Sequence, residues 1–310
     1  MAITLIENFR AVFYTPFYAA FALHAYEEEG VEVRRLTSDD PARTLHTLLS
    51  GQGDVAWGGP IRLLADNQRP NSPLVIFCEV VRRDPFFLVG RTPRPTFQLA
   101  DLLQVTLGSV SEVPTPWLCL QHDLRLAGLD PARVKRVADR SMADNLAALQ
   151  AGELEVMQAF QPFVEQAVES GAGHIWYAAA TRGRTAYTAL YTTRACLERE
   201  PESLLRMTRA MYRTQQWIAT HDAASLASQV ASYFPTLPVP TLTQALERYK
   251  RLQLWNHTPM MRPDGLLWLQ DACLSGGYIQ QPVSYEQCVD MRFASQAIAD
   301  TPALVPDDAE

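Results

Sequence analysis

Two successive series of alternating strand and helix signals, joined by a proline-bearing link, constrain this chain more than any other feature. In the first, Ile3 to Ile6 is a short apolar run of β character, and a helical pattern over Thr15 to Glu29 is closed by Gly30. Val31 to Leu36 alternates as a strand does. Ser38-Asp39-Asp40-Pro41 then opens a helix that runs to about Leu49 and ends at Gly51, and Asp54 to Ala56 is a third strand. A β-α-β-α-β order requires parallel strands with helices on their faces. Further strands are expected at Pro73–Val81 and Phe86–Gly90, before the stiff link Arg91-Thr92-Pro93-Arg94-Pro95.

The second series has strands at Val105–Val110, Val134–Val137, Glu155–Ala159 and His174–Ala178. Its helices lie at Pro116–Gly128, Met142–Gly152 and Phe163–Gly171. Tyr187–Thr193 is a β-prone return, and the rest is helical: Leu204–His221, Ala223–Tyr233, Thr241–Leu252 and Asp264–Ser275. The tail Thr301–Glu310 is acidic and proline-containing, the composition of a disordered segment. The expected fold is α/β and two-lobed, each lobe a mostly parallel sheet flanked by helices, with extra C-terminal helices. Lobe I takes residues 1–88 plus 190–310 and lobe II residues 89–189.

Composition narrows the function. A net charge of −7 excludes the basic face that nucleic acid demands. The five cysteines are widely spaced and the six histidines lie at no ligand spacing, so neither a disulfide framework nor a metal site is expected. No apolar run reaches about 18 residues, so no membrane insertion is expected. The N-terminus lacks the pattern of a signal peptide, which makes the chain cytoplasmic as written; a leader replaced by Met would make it periplasmic.

Ligands of such folds sit between the lobes at the carboxyl ends of the strands. Those corners are Asn8-Phe9, with Tyr14 downstream; Trp57-Gly58-Gly59-Pro60; Ser111 and Glu112 through Thr115; Phe160-Gln161; and Tyr187. Each places hydrogen-bonding groups beside an aromatic ring or a proline, a composition that stacks a flat ligand and reads its edges.

The stretch ITLIENFRAVFYTPFYAAFALHAYEEEGVEV, with LLSGQGDVAWGGP behind it, resembles the pyrimidine-precursor group of substrate-binding-like proteins. That group holds ABC-transporter binding proteins for sulfonates and formylaminopyrimidine, and the enzyme that makes the thiamine pyrimidine. The resemblance covers most of residues 3–215 and implies a type II periplasmic-binding-protein-like fold. It makes Asn8 and Phe9 the strand-one asparagine and stacking aromatic, and Tyr14 the tyrosine that follows. Where the synthase branch has its cofactor-bearing lysine this chain has Gly58, and where it has its catalytic histidine, Arg62. Its glycine-rich phosphate loop falls on Ser109 to Thr115, with Pro114 inside, and its cysteine motif on Thr185 to Thr188, with no cysteine.

The expectation is therefore a binding protein of ABC-transporter type for a small heteroaromatic, pyrimidine-like or amine-bearing solute. No catalytic residue and no cofactor are assigned, and a transporter permease is the implied partner. The alternative is an enzyme on the same scaffold, acting in thiamine-pyrimidine biosynthesis or on an aromatic acid.

Overall fold

The computed structural model describes residues 2–38 and 43–305. Asp39, Asp40 and Pro41, the expected helix start, and residues 306–310 of the tail lie outside them. Among the described residues, ten strands form two five-stranded sheets. In the first, β1 (Ile3–Glu7), β2 (Val33–Thr37), β3 (Val55–Gly58), β4 (Leu74–Val81) and β10 (Thr188–Thr193) are ordered β2-β1-β3-β10-β4. In the second, β5 (Phe87–Gly90), β6 (Thr106–Gly108), β7 (Lys135–Val137), β8 (Val156–Ala159) and β9 (His174–Ala178) are ordered β7-β6-β8-β5-β9.

The sheets are mixed rather than wholly parallel, and the exception has one cause. β1 pairs in parallel with β2 and β3, and β6 with β7 and β8. β10 is antiparallel to β3 and β4, and β5 is antiparallel to β8 and β9. Each antiparallel strand arrives from the other sheet: β5 follows β4 after five residues, and β10 follows β9. The eight residues of β4, LVIFCEVV, are all buried, as a strand covered on both faces requires.

Helices cover the sheets. α1 (Thr15–Ala22) and α2 (Ala25–Glu28) replace the single helix expected over 15–29, because His24 adopts the left-handed conformation (φ 51°) and breaks it. α3 (Thr44–Leu49), α4 (Ile61–Asp66), α5 (Thr115–Leu126), α6 (Met142–Ala151) and α7 (Phe163–Glu169) are the crossover helices. The C-terminal part adds α8 (Arg194–Arg199), α9 (Pro201–Thr220), α10 (Ala223–Val230), α11 (Val239–Arg251), α12 (Pro263–Ser275), α13 (Tyr285–Cys288) and α14 (Arg292–Ala299). The expected disorder from Thr301 does not hold up to Val305, which is buried in the core while Arg213 Nε donates to the Ala303 carbonyl at 2.7 Å.

The two crossovers, Arg82–Phe86 and Ala179–Tyr187, run side by side. Thr185 N–H donates to the Arg82 carbonyl (2.9 Å) and Tyr187 N–H to the Val81 carbonyl (2.8 Å). Arg182 ties them: its Nη1 donates to Asp84 Oδ2 at 2.6 Å and its Nε to both Asp123 oxygens at 3.0 Å. Asp84 belongs to the other crossover and Asp123 to α5, and Trp268 of α12 lies under the guanidinium at 4.8 Å. All three ionic groups are buried, with side-chain exposures of 7%, 1% and 8% for Arg182, Asp84 and Asp123. Removing the shared cation would strand two buried carboxylates. Arg182→Met is expected to cost about 3–5 kcal/mol, measured by urea denaturation at neutral pH; a loss below about 1 kcal/mol would contradict this role.

Glu79 is the second buried acid beside the crossovers. It accepts from Asn256 Nδ2 at 2.6 Å and from Arg184 Nη1 at 3.4 Å. Burial pushes its carboxyl from an ordinary 4.5 up to about 8, against the pull of Arg184 and Arg82. A pKa raised in the folded state holds its proton more tightly there. Its contribution to stability is thus complete below the unfolded value and is lost as pH rises toward the folded one. Glu79→Gln, which keeps the neutral form, should flatten the fall in urea midpoint over that window; an unchanged slope would count against it.

Candidate functional site

The carboxyl ends of β1, β3, β6 and β8 converge where the two sheets face each other. Asn8 and Phe9 leave β1, Gly59 and Pro60 leave β3, and the loop to Thr115 leaves β6. Phe160 follows β8, and Tyr187 precedes β10. They enclose an inner cavity lined by Asn8, Phe9, Tyr14, Gly59, Thr115, Phe160 and Tyr187, all expected from the sequence. Phe13, Ile61, Arg62, Phe86, Val113 and Pro114 complete it. Its volume is only about 30 Å³, room for about one water.

Rings fill the remaining space. Phe9 from the first sheet stacks on Phe160 from the second at 6.2 Å between centroids, with 25° between planes. Phe13 meets Phe160 edge-on at 5.1 Å, and Phe86 does so at 5.2 Å. Tyr187 stands edge-on to Phe13 at 6.0 Å. Edge-to-face and offset contacts at these distances are the favourable ones for aromatic quadrupoles.

The polar wall is held in place from outside. Asn8 Oδ1 accepts from Thr44 Oγ1 at 2.9 Å and from Arg62 Nη1 at 3.2 Å, and Asn8 Nδ2 donates to Tyr14 Oη at 3.2 Å. These contacts fix the amide's orientation and bring the guanidinium to the cavity. Arg62 sits in the first turn of α4, which Pro60 opens. The buried Tyr14 and Tyr187 phenols are raised above their ordinary range, chiefly by burial, and are therefore neutral hydroxyls at physiological pH.

Five expected residues stand elsewhere. Trp57 is an interior residue of β3, fully buried and stacked on Phe17 at 4.6 Å with planes 6° apart. Strand alternation explains this: Trp57 points into the core on the α1 side. Gly58 is the last residue of the strand rather than a corner; a Cβ there would come within 3.2 Å of Tyr191 Oη. Pro60 serves as the N-cap of α4. Gln161 is fully buried, its Nε2 donating to Glu165 Oε1 at 2.7 Å and its N–H to Tyr249 Oη at 3.0 Å, so it ties α7 to α11. Ser111 is exposed, its hydroxyl near the Glu112 carboxylate.

Glu112 lines not the inner cavity but the two spaces flanking it. Its Oε1 accepts the Met142 N–H at 2.9 Å at the start of α6, where a carboxylate suits the helix dipole. Phe13 and Phe86 escaped sequence reading because one lies in a helical lead-in and the other ends the crossover just before β5; only the fold turns both toward the cleft. Arg62, which stands where the synthase branch has its catalytic histidine, also lines the inner cavity. Among the described residues, no helix is long and apolar enough to cross a membrane, and no cluster of His, Cys, Asp or Glu could hold a metal ion.

Comparison with known proteins agrees with the fold. Residues 88–232 match the model of the NMT1-like family. The protein YtlA of Bacillus subtilis (strain 168), named as a candidate binding protein, is 23% identical over 301 residues, covering 96% of this chain and 90% of its own. Among solved structures, the periplasmic aliphatic sulphonate binding protein SsuA of Escherichia coli superposes with a TM-score of 0.74 at 15% identity, over 92% of this chain and 96% of its own. The desulfurization enzyme DSZB superposes with a TM-score of 0.72 at 15% identity, over 97% of this chain and all of its own. The resemblance first visible in the N-terminal motifs is thereby borne out at the level of fold: the chain is similar to the NMT1-like family over residues 88–232 and has the two-lobed, type II periplasmic-binding-protein fold.

Proposed function

We propose that this protein is the solute-binding component of an ABC-type importer and that it holds a flat heteroaromatic, pyrimidine-like solute in the cleft between its lobes. The observation that carries this reading is the Phe9–Phe160 stack across the cleft, with Arg62, Asn8 and Thr115 lining the same cavity. A ring entering between those faces gains stacking on both sides, while ring nitrogens or exocyclic oxygens accept from the guanidinium.

Among the described residues, no carboxylate lines the inner cavity, which favours a neutral ring read at its acceptor nitrogens over a cationic amine. The relatives support the same direction: YtlA is named as a binding protein and the Escherichia coli neighbour as a periplasmic sulphonate binding protein. A transporter permease is then the partner, and the outer face of a membrane the place of work.

The enzyme reading needs a base or a nucleophile at the ring, and the fold by itself does not discriminate, since DSZB shares it. Among the described residues, the inner cavity offers two neutral phenols, a guanidinium, an amide and a threonine hydroxyl. Such a set binds and orients a ligand, and none of its members abstracts a proton from carbon at neutral pH.

Native mass spectrometry of the purified protein should reveal a co-purifying solute with a heteroaromatic ring. Its affinity by calorimetry should fall about tenfold to a hundredfold in Arg62→Ala, and fall again in Phe9→Ala. Trp57→Ala should instead lower stability by about 3–5 kcal/mol as a core truncation, with affinity nearly unchanged in the folded fraction. Binding indifferent to both Phe9→Ala and Arg62→Ala would place the ligand elsewhere.

A further inference from the structure

A second cavity of about 350 Å³ adjoins the inner one and shares Phe9, Val113 and Phe160 with it. Its other walls are Ala11 and Val12 behind Phe9, Phe234 after α10, and Met142, Pro162 and Phe163 from the opposite lobe. Both charged residues at its rim are already engaged. Arg10 donates to Glu7 Oε1 and to the Tyr233 carbonyl, each at 2.7 Å, and Glu112 Oε1 accepts the Met142 N–H at 2.9 Å. The chamber thus offers rings, a thioether and aliphatic side chains, while its polar atoms are satisfied by the protein itself. A charged or hydrogen-bonding occupant would lose its water there without compensation.

We infer that this chamber is a second subsite, which receives an uncharged apolar substituent of the same small molecule whose hydrogen-bonding ring occupies the inner cavity. The inference rests on the assignment of the inner cavity as the ligand site. Three observations point to it. The two spaces adjoin at the Phe9–Phe160 pair, which lines both, so one molecule that parts those rings can reach both. Their chemistry divides cleanly, with Asn8, Arg62 and Thr115 on one side and Met142, Phe163 and Phe234 on the other. The size also fits: an apolar cavity of about 150 Å³ accepts a benzene ring, so 350 Å³ accepts a ring-sized group with room to spare.

The walls come from both lobes, so filling the chamber buries apolar surface on each and favours the closed arrangement. The ligand class is therefore a head-and-tail molecule: a small heteroaromatic ring bearing a phenyl, benzyl or branched alkyl group. Met142, Phe163 and Phe234 set the size of the tail.

Two probes test this on the full chain by calorimetry: 4-aminopyrimidine, and the same ring carrying a benzyl group. The benzyl probe should bind about tenfold or more tightly. Benzene at saturation should compete with the benzyl probe and leave the Kd of 4-aminopyrimidine within about twofold, a measurement that needs no variant. Met142→Trp, which fills the chamber, should erase the difference between the probes. Equal affinities for the two probes, with 4-aminopyrimidine bound, would overturn the subsite while leaving the inner-cavity reading intact. Benzene bound without binding of 4-aminopyrimidine would overturn the inner-cavity reading, and with it the joined head-and-tail ligand. Binding of none of the three would overturn both.

Discussion

The buried guanidinium of Arg182 is the contact on which the rest of the architecture turns. It bonds Asp84 of one crossover from within the other, reaches Asp123 of α5 and rests on Trp268 of α12. Four segments distant in sequence are thereby held at one point. Buried ion pairs are not free gains, because each charge must leave water. This one has two acids around a single cation with matched hydrogen bonds, and losing the cation costs more than never having had the cluster. Its consequence is geometric: the crossovers keep their register, so the strand ends that carry Phe9 and Phe160 arrive opposite each other.

The order of strands and helices was legible from sequence because it rests on local signals. Apolar runs, proline at helix starts and glycine at helix ends placed nearly every element of the two series within a few residues. Three helices escaped. α8, α13 and α14 are short or late and have weaker flanking signals, and α14 is fixed by packing against α9 and β4. The direction of β5 and β10 was also hidden, since a strand's orientation depends on which sheet it joins. His24 split the expected first helix through a backbone conformation that nothing in its neighbours announces.

The candidate site was legible to the depth of one residue. Strand ends could be located, but which side chain at each end faces the cleft depends on a period-two alternation whose phase the sequence leaves open. Trp57 shows the cost: still inside the strand, it lies on the face that meets α1 and stacks on Phe17, while Gly59, past the strand end, reaches the cavity. Gln161 shows another. Beside Phe160 it looks like a reader of ligand edges, yet Glu165 and Tyr249 take up its hydrogen bonds. Phe160 directly follows β8 and Phe9 lies two positions beyond β1, and both line the inner cavity.

The C-terminal helices change how such a cleft can open. A two-lobed binding protein closes by hinge motion about its crossovers, but here the lobes are also braced on two flanks. On one, α11 meets α7 through Arg248 and Glu165 (2.6 Å), and Tyr249 Oη donates to the Pro85 carbonyl (3.2 Å) while accepting from Gln161. On the other, α12 lies along α5: His122 Nδ1 is 3.0 Å from Ser275 Oγ, and a Cβ on Gly276 would come within 2.4 Å of Leu118. Opening wide would break both braces and the Arg182 cluster between them. Phe9 and Phe160 both lie on loops beyond their strand ends, and they meet across the cleft between these braces. Parting that pair would open the inner cavity toward the apolar chamber beside it.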